Sequence, residues 1–235
     1  MNPPVDHFGS KSCLLIEDSE PMRNVIRGFL RRCGVQKLEA VASCEIGAKV
    51  LEKTRFDVVL CDYNLTADGR NGQMLLEEAR LKGWITPGTI WVMLTGEQQL
   101  EKIAVAAEHA PDDYLLKPVT EDALQARLER LFDRKGVTAS IYTAIQARDF
   151  AKALAMVEQR LPAGKHLPDL KRAKAQILES TGELDRAREV YEEVLAKVDA
   201  AWARLGLARL RLMQGDAQGA RARLLESLTR FPRYL

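Results

Sequence analysis

Five short apolar runs alternate with helical periodicities through the first 133 residues, and this alternation leaves few folds open. Cys13-Leu14-Leu15-Ile16 leads into Glu17-Asp18. A second run covers residues 37–42, and Val58-Val59-Leu60-Cys61 stops at Asp62. Thr89-Ile90-Trp91-Val92-Met93-Leu94 closes on Thr95-Gly96, and Tyr114-Leu115-Leu116 is followed by Lys117-Pro118. Short runs rich in β-branched residues read as strands buried on both faces. Between them, apolar residues recur at helical spacing. Met22, Val25, Ile26, Phe29 and Leu30 form one stripe, with Ser19 as N-cap and Pro21 near the helix start. Ile46, Ala48, Val50 and Leu51 follow an N-cap at Ser43. A third helix begins near Gln73, a fourth is expected over 97–109, and a fifth over 120–133 carries Leu124, Leu128 and Leu131. Strands alternating with helices predict an α/β doubly wound parallel sheet, for which five strands suit the order 2-1-3-4-5.

In such a sheet, ligands bind just outside the carboxyl ends of the strands. Glu17, Asp18, Asp62, Thr95 and Lys117 all fall there. A carboxylate directly after a buried strand is costly unless something pairs or coordinates it. Three of them at one rim repel, which calls for a hard divalent cation; Mg²⁺ accepts oxygen ligands and keeps waters that a phosphoryl oxygen can replace. A carboxylate can attack phosphorus to give an acyl phosphate. An ammonium and a hydroxyl, here Lys117 and Thr95, neutralise and position the phosphoryl oxygens.

The net charge of +2 conceals a sign change: residues 1–133 sum to −5 and the remainder to +7, as expected of two modules with different tasks. The four cysteines lie in the first half without C-x-x-C spacing and read as reduced thiols. The three histidines show no zinc-ligand pattern. Residues 1–11 are expected to be a flexible leader. No stretch is long and apolar enough for a bilayer, so a cytoplasmic protein without membrane contact is expected.

Taken together, Glu17-Asp18, Asp62 with Tyr63-Asn64, Leu94-Thr95-Gly96 and Tyr114-Leu115-Leu116-Lys117-Pro118 make residues 12–133 resemble the receiver domain of bacterial two-component response regulators. The resemblance implies a flavodoxin-like fold in which Asp62 accepts a phosphoryl group from a histidine kinase or phosphotransfer protein. It implies Mg²⁺ (or Mn²⁺) held by Glu17, Asp18, Asp62 and the backbone carbonyl of Asn64. Lys117 would contact the phosphoryl group through a loop whose bond to Pro118 is often cis. Thr95 and Tyr114 would form the switch pair, and the switched surface could pair two copies as a homodimer. Thr66 stands where the family often has Pro, and residues 67–71 lengthen the loop after the acceptor.

Beyond Gly136 the sequence is helical and repeats. Ala153, Ala187 and Ala220, and likewise Leu161, Leu195 and Leu228, recur at 34 and then 33 residues; Arg148, Gly182 and Gly215 share those offsets, each followed by an acid. That period resembles tetratricopeptide (TPR) repeats, implying a TPR-like all-α domain over 137–235 whose groove binds a protein or peptide. No catalytic motif follows Gly136, so no separate enzymatic output is expected. Arg204, Arg209, Arg211, Arg221, Arg223, Arg230 and Arg233 leave a nucleic-acid output as an alternative, although aromatics for base stacking are few and no helix-turn-helix pattern is visible. A second alternative is a scaffold that uses the receiver fold without phosphate.

Overall fold

The computed structural model describes residues 8–65, 70–96 and 111–230. The helix expected over 97–109 lies outside them, as do Thr66, Phe231, Pro232 and Arg233. The described chain divides into two compact units, one reaching Lys135 and the other beginning at Gly136.

In the first unit, β1 (Ser12–Ile16), β2 (Lys37–Val41), β3 (Val58–Asp62), β4 (Ile90–Thr95) and β5 (Asp113–Leu116) form one parallel sheet in the order β2-β1-β3-β4-β5. The central β3 and β4 are buried throughout, which explains their unbroken apolar runs. Edge strand β2 is more exposed and carries Lys37 and Glu39, charges that discourage further pairing.

Side chains alternate between two cores. Leu15, Leu60, Val92, Leu94 and Leu115 meet Ile26 and Leu30 of α1 (Glu20–Arg32) and Leu124, Leu128 and Leu131 of α4 (Glu121–Gln146). On the other face, Leu14, Ile16, Val59, Cys61, Trp91 and Met93 meet α2 (Cys44–Lys53) and α3 (Gly72–Leu81). Ser43 and Asn71 cap α2 and α3, accepting from Ile46 N at 3.3 Å and Met74 N at 2.9 Å. Ser19 occupies the N-cap position of α1, but its side chain makes no capping bond, contrary to expectation. All four cysteines are free thiols.

Two expectations are corrected. Residues 8–11 are not a loose leader: Phe8 is buried in the first core against Phe132, and Lys11 pairs with Asp57. Helix α4 does not stop at 133. It continues through Gly136, where an added Cβ would meet nothing, to Gln146. A helix-interior glycine costs about 1 kcal/mol relative to alanine. Burial of Ile141, Ala144 and Ile145 in the second unit's core outweighs that cost. Within the first unit, Arg127 and Arg130 bind Asp113, while Arg134 and Lys135 bind Asp112.

The second unit consists of helical hairpins. The C-terminal part of α4 packs its Ile141, Ala144 and Ile145 with Ala153 and Val157 of α5 (Phe150–Arg160), while α6 (Leu167–Ser180) pairs with α7 (Leu184–Leu195) and α8 (Ala201–Met213) with α9 (Ala217–Arg230). The three turns share one backbone scheme. Asp149 N, Glu183 N and Asp216 N each donate to the carbonyl five residues back, those of Ala144, Leu178 and Arg211, at 2.9 Å. Arg148, Gly182 and Gly215 all take positive φ, at 58°, 80° and 85°. Ala153, Ala187 and Ala220 are buried in the hairpins. Tyr191 and Trp202 meet edge to face, their ring centroids 5.8 Å apart, in a core with Ala175, Leu178 and Leu207. Three of the arginines counted as basic surplus are paired: Arg204 with Asp199 and Glu226, Arg209 with Glu179, and Arg211 with Asp216. No helix among the described residues is long and apolar enough to cross a membrane.

Candidate functional site

Parallel register sets the site. Ile16 lies beside Cys61, Asp62 beside Leu94, and Thr95 beside Leu116, so the residues that end β1, β3, β4 and β5 share one rim. One carboxylate oxygen each of Glu17, Asp18 and Asp62 lies within 4.8 Å of the others. Glu17 and Asp62 are buried, at 1% and 5% exposure, whereas Asp18 is partly open. Lys117 reaches across with its Nζ 2.8 Å from Asp62 Oδ2 and 2.7 Å from Glu17 Oε2. The Lys117–Pro118 peptide is cis, and Lys117 N donates to the Thr95 carbonyl at 2.7 Å.

Burial has the largest influence on the Glu17 carboxyl and pushes its pKa up. Lys117 works against that rise and the charge of Asp62 adds to it. For the Lys117 ammonium, burial is again the largest influence and disfavours the charge. The pairs with Asp62 and Glu17 outweigh it, so its pKa is raised overall.

Asn64 is exposed at the rim, and its N–H donates to Asp62 Oδ1 at 3.3 Å. Thr95 is fully buried at the end of β4. Tyr114 lies inside, in the core with Cys61, Trp91 and Met93. Burial, with a smaller contribution from Tyr63, pushes its phenol up to about 12. Cys61, next to Asp62, is wholly buried, and its thiol donates to the Asp62 carbonyl at 3.3 Å. Burial drives its thiol pKa well up, as expected of an inert thiol.

Two residues of the site escaped sequence reasoning. At Gly72 an added Cβ would fall 2.4 Å from the Asp62 carbonyl oxygen, so only glycine lets α3 start against β3. Its place at the end of a glycine-containing loop was the available signal. Arg23 Nη1 donates to the carbonyl oxygens of Glu17 at 2.6 Å and Asp18 at 3.2 Å, and nothing in the sequence marked it.

The three carboxylates and one ammonium carry two negative charges in excess when ionised, all on hard oxygen donors. That donor set fits a divalent cation of the Mg²⁺ type.

Residues 13–129 match the model of the response regulator receiver domain. The chain is 28% identical over 121 residues to the chemotaxis protein CheY-3 of Vibrio cholerae, covering 52% of this chain and 91% of that protein. Against the chemotaxis protein CheY of Pseudomonas aeruginosa the identity is 26%, covering 52% and 95%. Similar solved structures include CheY4 of Vibrio cholerae, at 24% identity and TM-score 0.44, covering 52% of this chain and 98% of that one. Another is the receiver domain of the sensor histidine kinase PA1611 of Pseudomonas aeruginosa, whose structure has a magnesium ion in the active-site cleft. It shows 25% identity and TM-score 0.45, with 52% and 98% covered. The family match ends at residue 129. The first half of this chain, with its acidic rim and bridging lysine, is a response regulator receiver domain.

Proposed function

We propose that this protein is a two-component response regulator in which Asp62 is the phosphoacceptor and the helical repeat unit binds a protein partner. The single observation that carries the reading is the cluster itself. Three carboxylates lie within 4.8 Å of one another, with Lys117 bridging two of them.

Glu17, Asp18 and Asp62, with the Asn64 backbone carbonyl, would hold Mg²⁺, which neutralises phosphoryl oxygens when bound. An Asp62 carboxylate oxygen attacks the phosphorus of a phosphohistidine on a kinase or phosphotransfer protein. The O–P bond forms as the P–N bond breaks, and its electron pair leaves on the imidazole, which takes up a proton. The Lys117 ammonium then follows the new phosphoryl group, exchanging its carboxylate partner for a phosphoryl oxygen. Thr95 and Tyr114 act as the switch pair. Tyr114 already lies inward, so phosphorylation would draw the Thr95 hydroxyl toward the phosphate and hold the ring where it is. The switched surface would then hold or release the partner, or pair two copies.

The repeat unit supports a TPR-like binding array through its three equivalent turns at 34- and 33-residue offsets. Pairing of Arg204, Arg209 and Arg211 with acids favours a protein ligand over nucleic acid.

The test is incubation with Mg²⁺ and acetyl phosphate followed by intact mass measurement. One added phosphoryl group is expected in the wild type and none in Asp62→Asn. An unmodified wild type, beside a control receiver that is modified, would overturn the reading. A pull-down with and without acetyl phosphate tests the output: a scaffold would capture the same proteins in both arms.

A further inference from the structure

Arg23 lies on the first turn of α1, half-buried, and its side chain does not reach a carboxylate partner among the described residues. Its Nη1 instead bridges two successive backbone carbonyls, those of Glu17 and Asp18. These are the two residues whose side chains must turn toward Asp62. Backbone bonds also hold this segment. Glu17 N donates to the Val41 carbonyl at 3.1 Å, and Ser19 N donates to Glu17 Oε1 at 3.3 Å. The Ser19 side chain makes no capping bond to α1. From the helix side, Arg23 N donates to the Ser19 carbonyl at 2.8 Å, and the Arg23 guanidinium ties the carbonyls of Glu17 and Asp18 themselves.

The setting makes that bond matter. Glu17 is buried beside Asp62, and its raised pKa reflects burial and the charge of Asp62. Without a tie, the segment would relieve this crowding by turning Glu17 or Asp18 outward. A charge-assisted bond to a carbonyl is roughly twice as strong as a neutral one, and here it holds the backbone in place against that relaxation.

We propose that Arg23 is a positioning residue that pre-organises the Glu17–Asp18 pair for a divalent cation, acting through their carbonyls and without touching the cation or the phosphoryl group. This rests on the metal-dependent receiver reading above. Groups that orient metal ligands typically change metal affinity by about 10- to 100-fold when removed.

The experiment is calorimetric titration of the full chain with Mg²⁺ alone, without phosphodonor, for wild type, Arg23→Ala, Arg23→Gln and Arg23→Lys. Urea unfolding in EDTA is measured alongside. The expected result is a Kd at least about tenfold weaker in Arg23→Ala. Partial recovery is expected in Arg23→Lys, which restores a cationic donor, and less in Arg23→Gln, which restores only a neutral one. The urea midpoint in EDTA should shift far less than the affinity. A merely structural role would move the midpoint and leave the affinity of the folded variants alone. If Arg23→Ala does not fold, Arg23→Gln against Arg23→Lys decides, and equal affinities in those two overturn the proposal. Wild-type binding with all variants within twofold of it also overturns the proposal and leaves the receiver reading standing. A wild type that binds no Mg²⁺ overturns the receiver reading itself.

Discussion

Arg148 holds the same left-handed turn that Gly182 holds 34 residues later, with φ of 58° against 80° and equivalent backbone bonds on either side. The repeat is thus a property of the backbone, kept even where the residue is wrong for it. A β-carbon in this region costs roughly 1–2 kcal/mol, partly offset by the greater freedom of glycine in the unfolded chain. The Arg148 side chain makes no hydrogen bond among the described residues that its removal would forfeit. Arg148→Gly should therefore stabilise the protein by about 0.5–1 kcal/mol. Urea unfolding followed by far-UV circular dichroism checks it, and a lower midpoint would contradict the shared geometry.

Gly206 is the opposite case. A Cβ there would lie 2.1 Å from Tyr191 Cζ. The ring cannot yield easily, because its hydroxyl donates to Glu179 Oε1 at 2.5 Å and its edge meets Trp202. Gly206→Ala should destabilise the helical unit by about 1–3 kcal/mol through overpacking. Adding Tyr191→Leu should recover part of that loss, a non-additivity that a double-mutant cycle measures.

Lys117 separates two buried acids, so its removal should be felt in both stability and chemistry. Lys117→Ala leaves Glu17 and Asp62 facing each other. The expected loss is on the order of 2–3 kcal/mol, below the roughly 3–5 kcal/mol of a fully buried pair because the Lys117 side chain reaches solvent. Lys117→Ala with Glu17→Gln should regain much of it. Phosphate uptake from acetyl phosphate should fall about 100-fold in Lys117→Ala, as when one charge-stabilising donor is lost. Denaturation in EDTA and timed intact-mass spectra check the two effects separately.

High pH should unfold the protein through buried phenols. Burial pushes Tyr114 up to about 12, and burial together with Glu179 raises Tyr191 further. Both folded values lie above the unfolded one near 10. The fold therefore favours the neutral phenols. Their contribution is complete below about pH 10 and is lost as pH climbs through the folded values. Urea midpoints measured between pH 9 and 12 should fall, and Tyr114→Phe should flatten the lower part of that fall. An unchanged slope in that variant would show that the ring titrates freely.

Much of the receiver half was legible because its signals are local. Buried strands must be apolar, and the polar residue that ends each one marks the rim; strand order then brought Glu17, Asp18, Asp62 and Lys117 together. What escaped depends on partners distant in sequence or on backbone. Arg23 reads as an ordinary helix-surface arginine because its acceptors are carbonyls. The burial of Phe8 depends on Phe132, more than a hundred residues away. Gly136 suggested a helix end on propensity alone, yet packing of Ile141, Ala144 and Ile145 overrode it. The arginine-rich tail looked like free charge in part because two of its acids, Glu179 and Glu226, lie more than twenty residues from their partners.

The continuity of α4 dictates how the two halves can be separated for study. A receiver fragment trimmed at Asp133 would discard Arg134 and Lys135 and leave Asp112, whose carboxylate also accepts from Trp91 N, without either cation. Trimmed after Lys135 it keeps that clasp. The complementary fragment must then begin at Gly136, taking with it the remaining turns of α4 on which the first hairpin is built.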